Sequence, residues 1–277
     1  MTTPTTRPSR LNPLSSSRLG ASTQFETDQL RVATYNIHKG VRGLGPRKRL
    51  EIHNLGLGVE ALDADLVFLQ EVRLFHRREA RRFDRTTWFN WPEQGQAEYL
   101  APEGYEVAYR TNAITRHGEH GNALLSRWPL GEPDHHDVSA HRFEQRGLLH
   151  VPVHWQGRTV HAVVAHFGLT HGGRLQQVQY LSRFVAQFVP RNAPLLVAGD
   201  FNDWSERLDV PMRGIGLKRA TLEGGGLRPT FPSRVPVFAL DRVYMRGFRC
   251  LGQDVPRGVA WARMSDHLPL VVDLELD

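Results

Sequence analysis

The sequence contains a single cysteine, Cys250, among 277 residues. One cysteine forms no intrachain disulfide and supplies too few thiolates for a zinc–thiolate cluster. No run of about 18 apolar residues occurs, so the sequence predicts no transmembrane helix. Residues 1–27 also lack the apolar segment of a secretory signal. These absences favour a protein of the reducing cytoplasm.

Lysine is also scarce, and almost all of the basic residues are arginines. The formal net charge is +6 at pH 7. Because the planar guanidinium group matches phosphate oxygens, this composition favours polyanionic partners. A base-composition bias in the source genome would explain the arginines equally well.

The apolar pattern predicts more strands than helices. Residues 1–27 are rich in Thr, Ser and Pro and predict a disordered tail, whereas 28–277 predict a single domain without linker or repeat. Helical spacing of apolar residues predicts helices over 47–62 and 173–189. Strand-like runs occur at 30–37, 66–70, 105–110, 121–126, 147–155, 158–166, 194–199, 240–245 and 268–275. This pattern predicts an α/β fold of two mixed sheets flanked by helices.

One long segment, 84–104, carries no clear periodicity. It contains Trp88 and Trp91 together with prolines and glycines, and it predicts a long irregular loop. We expect its aromatic side chains to pack on the domain, with stacking on a base or insertion into lipid as the alternatives.

Polar residues stand where several apolar runs end. The run 195–198 leads into Gly199-Asp200-Phe201-Asn202, and three other runs end at Asn36, Glu71 and His166. A further run is preceded by Ser265-Asp266-His267. Buried strands that end in polar groups present them to a ligand, so the sequence predicts one shared site.

These side chains suit the cleavage of phosphate esters. Glu71, Asp200 and Asp266 are hard oxygen ligands that favour Mg²⁺, with Mn²⁺ as the alternative, and the amides of Asn36 and Asn202 add to the set. His166 and His267 supply groups that exchange protons near neutral pH. Metal and imidazole together predict metal-assisted attack of water on phosphorus.

Seven motifs follow one another in chain order: Tyr35-Asn36-Ile37, Leu69-Gln70-Glu71-Val72, Gly121-Asn122-Ala123-Leu124-Leu125-Ser126-Arg127, Ala165-His166-Phe167-Gly168-Leu169, Gly199-Asp200-Phe201-Asn202, Leu240-Asp241-Arg242-Val243 and Ser265-Asp266-His267-Leu268-Pro269-Leu270. In this order the motifs resemble the endonuclease/exonuclease/phosphatase superfamily of DNase I-like phosphoesterases, and the resemblance covers nearly all of residues 30–277. The resemblance implies a four-layer α/β/β/α sandwich with its site at one edge of the two sheets.

The resemblance implies a role for each matched catalytic residue. Asp200 would orient or deprotonate the attacking water, and Asn202 would contact the phosphate. His267 would pair with Asp241 and stabilise the charge that develops on phosphorus. His166 matches a histidine of the DNase I, sphingomyelinase and deadenylase branches that serves the leaving group. The exonuclease III branch lacks this histidine, so the match argues against abasic-site repair.

The resemblance also implies the metal ligands. Glu71 would hold the divalent metal with help from Asn36, and Asp266 would complete the shell of the metal or of the histidine. Two further residues, Asn122 and Arg146, are candidate substrate-binding residues, although Asn122 beside a glycine is equally suited to cap a turn.

Four arginines follow Glu71 at four-residue spacing: Arg73, Arg77, Arg81 and Arg85. A helix over this segment would align them as a basic stripe at the rim of the metal site. A bound nucleic acid, or another large phosphate-rich ligand, would explain the stripe. The alternative is a solvated helix face balanced by Glu79 and Asp84.

The sequence as a whole predicts a Mg²⁺-dependent phosphodiesterase of the cytoplasm, with a nuclease as the first hypothesis. The alternative within the same chemistry is a phospholipid hydrolase of the sphingomyelinase type or a hydrolase of small phosphate esters. A binding module that holds polyanions without catalysis is the alternative from another class.

Overall fold

The computed structural model describes residues 28–84, 90–140 and 144–277, and the predicted N-terminal tail lies outside them. In chain order the strands are β1 (Gln29–Asn36), β2 (Val41–Arg42), β3 (Arg49–Leu50), β4 (Leu66–His76), β5 (Glu106–Thr115), β6 (Gly118–Ser126), β7 (Asp134–Asp137), β8 (Gly147–Trp155), β9 (Arg158–His166), β10 (Leu195–Asp200), β11 (Lys218–Arg219), β12 (Asp241–Arg246), β13 (Phe248–Asp254) and β14 (Leu270–Leu276). The α-helices are α1 (Ile52–Ala61), α2 (Arg77–Phe83), α3 (Gln96–Leu100), α4 (His171–Phe188), α5 (Asp209–Gly214) and α6 (Val259–Met264).

Two mixed sheets of six strands form the centre of the described structure. The first has the order β13-β14-β1-β4-β6-β5, and the second has the order β11-β12-β10-β9-β8-β7. Each contains one parallel pair, β1 with β4 and β9 with β10, among antiparallel neighbours. β2 and β3 pair separately as a short hairpin.

Alternation along the strands builds the four layers. Inward residues such as Val32, Phe68, Val164 and Ala198 form the core between the sheets. The outer face of the first sheet packs on α1, α3 and α6, and the outer face of the second packs on α4 and α5. The predicted α/β/β/α sandwich is confirmed.

The helix prediction was right over 173–189 and partly wrong over 47–62. α4 buries Val178, Leu181 and Val185, but Leu175 is 37% exposed and Phe188 is 47% exposed. α1 begins only at Ile52, because the preceding segment forms a turn and then the strand β3 against β2. Both glycines of α1 remain helical.

The prediction of an irregular loop over 84–104 was wrong in part, because α3 lies inside it. Trp91 packs as expected: it is buried, its ring stacks on Phe83 with centroids 6.5 Å apart, and Arg73 lies over it. Trp88 lies outside the described residues. None of the helices in the described part of the chain is long and apolar enough to cross a membrane.

Candidate active site

Three polar side chains lie side by side at one end of the second sheet. Asp200 ends β10 and is in register with His166 of β9 and Asp241 of β12. Residues paired in register point to the same face. That face is the inner one, because Val164 and Ala198, two residues earlier on their strands, belong to the core between the sheets. We call this end the polar edge.

The first sheet contributes Asn36, the last residue of β1. Its Nδ2 donates a hydrogen bond to Asp200 Oδ2 at 3.1 Å, and its Oδ1 accepts one from the backbone N–H of His38 at 3.1 Å. The two partners Asn36 and Asp200 belong to different sheets and are 164 residues apart in sequence. The hydrogen bond therefore joins the two sheets at the polar edge.

His267 lies between two carboxylates. Its Nδ1 is 2.8 Å from Asp241 Oδ2, and its Nε2 is 3.7 Å from Asp200 Oδ2. Thr230 donates a second hydrogen bond to Asp241 Oδ2 at 2.5 Å. Burial alone would lower the pKa of His267, but the charges of Asp241 and Asp200 outweigh it and raise that pKa. The geometry favours an imidazolium held in a fixed orientation.

Asp200 is fully enclosed and held from several sides. Its Oδ1 accepts the backbone N–H of Asn202 at 2.9 Å. Burial raises the pKa of Asp200, which opposes the effect of His267. The Asn202 amide donates to the Phe167 carbonyl at 3.0 Å, so this structure uses Asn202 to hold the loop after β10. Its predicted contact with phosphate stays a prediction.

Glu71 lies inside β4 at a bulge, where the pairing with β6 shifts between Leu69 and Val72. Its φ of +57° is in the left-handed region, which turns the side chain out of the regular alternation. Lys39 Nζ lies 3.0 Å from Glu71 Oε2. Burial alone would raise the pKa of Glu71, but Lys39 and then His166 lower it far below its ordinary value.

Asp266 stands on the loop before β14 and pairs with His38, with 3.2 Å between Oδ1 and Nδ1. Its pKa is lowered: burial raises it, the hydrogen bond and charge of His38 lower it more, and the negative charge of Glu71 acts against them. The carboxylates of Glu71 and Asp266 and the amide of Asn36 offer oxygen donors of the hard type that divalent cations bind. Their role as metal ligands stays a prediction.

A second group of potential ligands is more compact. Asp200, Asp241 and His267 bring three ligand atoms within 4.8 Å of one another among the described residues. Because both ring nitrogens of His267 face carboxylate oxygens, this group is better suited to hydrogen bonding than to metal binding.

His166 and Arg146 lie next to each other at the polar edge. His166 Nε2 is 3.6 Å from Asp200 Oδ2, and burial, followed by the charge of Arg146, holds its pKa well below the ordinary value. Arg146 Nε donates to the Phe167 carbonyl at 3.1 Å, and its Nη2 is 3.2 Å from Glu144 Oε1. These bonds fix the guanidinium of Arg146 beside the imidazole.

Asn122 is fully buried on β6. Its Nδ2 donates to the carbonyls of Gly147 at 2.9 Å and Val164 at 3.2 Å, both in the second sheet. The residue therefore joins the sheets as Asn36 does. The Nδ2 group donates both of these hydrogen bonds within the protein. The predicted contact of Asn122 with substrate stays a prediction.

The sequence predictions did not include several residues that support this site. Thr230 fixes Asp241, and Lys39 pairs with Glu71. The fully buried Arg242 donates to Asp203 Oδ2 at 3.0 Å and to the Asp203 carbonyl at 2.9 Å, which braces the loop after Asp200. Asp203 and Arg242 each adjoin a predicted site residue, and that adjacency was the one available signal.

The predicted arginine stripe is wrong at its start. Arg73 lies on β4, not on a helix, and its buried guanidinium pairs with Glu79. α2 begins at Arg77 and carries Arg81, whereas Arg85 lies outside the described residues. Glu79 is buried and pairs also with Lys48, so it does not balance the exposed arginines.

An aromatic cluster borders His267 on the side of the second sheet. The rings of Phe231 and His267 are 4.9 Å apart, and Trp204 packs edge-on against Phe231 at 5.4 Å and Phe238 at 5.0 Å. Trp204 is 41% exposed. The rim of the site thus offers an apolar surface beside the imidazole.

Comparison with known proteins identifies the family. A model of the Endonuclease/Exonuclease/phosphatase family matches residues 33–267. The chain belongs to this family. Its members are phosphoric ester hydrolases that generally depend on a divalent metal, and the chain is an enzyme of this class.

Individual relatives share most of the chain. The uncharacterized protein YbhP of Escherichia coli strain K12 is 33% identical over 259 residues, which cover 91% of this chain and 99% of YbhP. The endonuclease/exonuclease/phosphatase from Beutenbergia cavernae DSM 12333 has a TM-score of 0.67 at 21% identity and covers 90% of this chain and 72% of its own. D. rerio TDP2 complexed with single strand DNA product has a TM-score of 0.60 at 16% identity, over 89% of this chain and 99% of that one. These structures share the fold.

Proposed function

We propose that the protein is a Mg²⁺-dependent phosphodiesterase that cleaves nucleic acids. The observation that carries the proposal is the polar edge, where Asp200 lies in register with His166 and Asp241 and is bonded across the sheets to Asn36. The lone cysteine supports the further proposal that the enzyme works in the reducing cytoplasm.

The residues divide the reaction among them. Asp200 orients the attacking water, and its burial favours its action as a base toward that water. His267, held by Asp241, donates a hydrogen bond to a phosphoryl oxygen as negative charge develops. His166 lies on the other side of Asp200, where it serves the leaving oxygen.

The divalent cation would be held by Glu71, Asp266 and the Asn36 amide. A bound Mg²⁺ supplies a Lewis acid that neutralises negative charge on the phosphate. In the described structure Lys39 Nζ lies 3.0 Å from Glu71 Oε2, and His38 Nδ1 lies 3.2 Å from Asp266 Oδ1.

The first experiment measures the hydrolysis of bis(p-nitrophenyl) phosphate with Mg²⁺ and with EDTA. We expect turnover only with the metal, and we expect Asp200→Ala to abolish it. Metal-independent turnover, or full activity of Asp200→Ala, would contradict the proposal. Absence of turnover in the wild type, together with oligonucleotide binding, would favour the binding module without catalysis.

A second candidate substrate is a phospholipid, because the exposed Trp204 and the neighbouring Phe231 and Phe238 place apolar surface beside His267. The discriminating experiment offers DNA, RNA, abasic duplex, sphingomyelin, glycerophospholipids and inositol phosphates under the same conditions. Cleavage of lipid with no cleavage of any polynucleotide would replace the nuclease proposal by this one.

A further inference from the structure

β4 does not stop at the polar edge. β1 ends at Asn36, which is in register with Gln70 of β4, yet β4 continues to His76. β5 and β6 accompany it, since His76 pairs with Gly118 at the β5–β6 turn. Residues 72–76, 111–115 and 118–121 therefore form a three-stranded extension beyond the site, which we call the arm.

Cationic side chains gather at the end of the arm. They line a pocket of about 510 Å³, and we call this group the arm tip: Arg77, Arg78, Arg81, Arg82, Arg116 and His117. At about 3.3 Å per residue, Arg77 lies roughly 20 Å along the chain from Glu71. The pocket is thus separate from the polar edge but in line with it.

The arginines of the arm tip lack acidic partners in the described part of the chain. Arg77, Arg78, Arg81 and Arg116 are exposed and form no ion pair there. Arg82 donates to the carbonyl of Gly45 at 2.7 Å. The acid closest in sequence, Glu79, faces inward to Lys48 and Arg73.

Two neighbouring residues have pKa values lowered by burial and by surrounding cations, among them Arg78 and Arg82 of the arm tip. The pKa of Lys48 is lowered by burial and then by Arg73, Arg82, Lys39 and Arg78. The pKa of His76 is lowered to about 4 by burial and then by Arg73, Lys48 and His117. A field of one sign around a concave pocket attracts anions of the opposite sign.

From this geometry we propose that the arm tip binds the phosphate backbone of a nucleic acid whose scissile phosphate lies at the polar edge. This inference deepens the proposed nuclease function and rests on it for the direction of the bound strand. Arg77 and Arg81 are one helical turn apart, about 6 Å along the axis, so they address different phosphates. A small phosphate ester at the polar edge does not span 20 Å.

Arginine chemistry favours nucleic acid over a lipid surface. A guanidinium binds two phosphate oxygens in a plane, and six cationic side chains line this one shallow pocket. The Arg77 guanidinium also lies over the partly exposed ring of Phe75, 5.8 Å from its centroid. Charge beside an exposed ring is typical of surfaces that bind single strands.

The test measures affinity for a labelled 20-nucleotide single-stranded DNA in EDTA, so that binding is independent of catalysis. The double variant Arg77→Gln/Arg81→Gln should bind roughly tenfold more weakly at low salt and lower the slope of log K against log salt by about 1.4, because each single-strand phosphate contact contributes about 0.7. Arg77→Lys/Arg81→Lys should keep most of the slope.

The matched control is Arg158→Gln/Arg191→Gln, which removes the same charge from the opposite end of the second sheet, where both residues are exposed. This control should bind DNA like the wild type. All variants should hydrolyse bis(p-nitrophenyl) phosphate within about twofold of the wild type, which also shows that they fold.

Three outcomes would overturn the inference. An unchanged salt slope in the arm-tip variant is one, and an equal loss in the control variant is the second. Binding to vesicles of anionic phospholipid that depends on Arg77 and Arg81, without binding to DNA, is the third. A wild type that binds DNA through the arm tip and cleaves no phosphodiester would contradict the proposed function and the direction of the bound strand, while the binding of nucleic acid at the arm tip would stand.

Discussion

The polar edge and the arm tip both contain several charged side chains. The two regions differ in whether these side chains form ion pairs within the protein. At the polar edge, His267 lies between Asp241 and Asp200, and Lys39 pairs with Glu71. At the arm tip, exposed arginines surround a pocket and have no acidic partner among the described residues. The first region holds its charges by internal contacts, whereas the second leaves them for a ligand.

This difference predicts how each region responds to change. Buried charges that are fixed by hydrogen bonds act on a reacting group without further reorganisation, so their loss lowers the rate constant. Exposed charges act through a screened field, so their loss changes affinity and its dependence on salt. The two regions should therefore be separable by the kind of assay that reports a substitution.

The largest expected effect is that of His267→Gln. The variant loses the charged donor that Asp241 orients, and we expect kcat for bis(p-nitrophenyl) phosphate to fall by roughly 10² to 10³. Its affinity for DNA in EDTA should stay within a few-fold of the wild type, because the arm tip is intact. Two results would contradict this difference between the regions: a fall in kcat of less than tenfold, or a loss of DNA affinity as large as the fall in kcat.

The residues of the polar edge could be predicted from the local sequence. Three apolar runs change abruptly to polar residues, at Asn36, His166 and Asp200, and this change is visible in the sequence. Their convergence also needs the pairing of β9, β10 and β12, which the strand register shows. The family resemblance implied only that the site lies at one edge of the two sheets.

The sequence did not predict that Arg73 lies on a strand or that α2 begins at Arg77, for two physical reasons. Arg73 stands at helical spacing from Arg77, but its burial depends on Glu79 and on the pairing of β4 with β6. The start of α2 is capped by His76, whose Nδ1 accepts the N–H of Glu79 at 3.2 Å, and histidine is not a usual N-cap residue. Contacts of this kind are invisible to periodicity.

The second effect in size concerns the buried acid beneath the arm tip. Glu79→Gln leaves Arg73 and Lys48 without their carboxylate, and we expect the free energy of unfolding to fall by about 3 kcal/mol, as when one partner of a buried pair is removed. Affinity for DNA should rise or stay constant, since net positive charge increases. Denaturant unfolding and the EDTA binding assay measure both.

The matched control for this change is Glu93→Gln, which alters an exposed carboxylate on the neighbouring loop and should shift stability by less than about 0.5 kcal/mol. If the two variants unfold alike, Glu79 does not balance buried charge. If Glu79→Gln weakens DNA binding while remaining folded, the cations of the arm tip are not its ligands for phosphate.

The smallest effect is a pH dependence at the boundary of the arm tip. The pKa of His76 is lowered to about 4 by burial and by Arg73, Lys48 and His117. Between pH 6.5 and 4 the unfolded chain therefore binds a proton that the folded chain does not, so stability falls as the pH falls through this window.

His76→Asn keeps an N-cap acceptor and removes the titration. Since His76 is only partly buried, the drop in unfolding free energy from pH 7.5 to pH 5 should be smaller in the variant by less than about 1 kcal/mol. Equal drops in both proteins would mean that burial and the neighbouring cations do not lower the pKa of His76 in the folded chain.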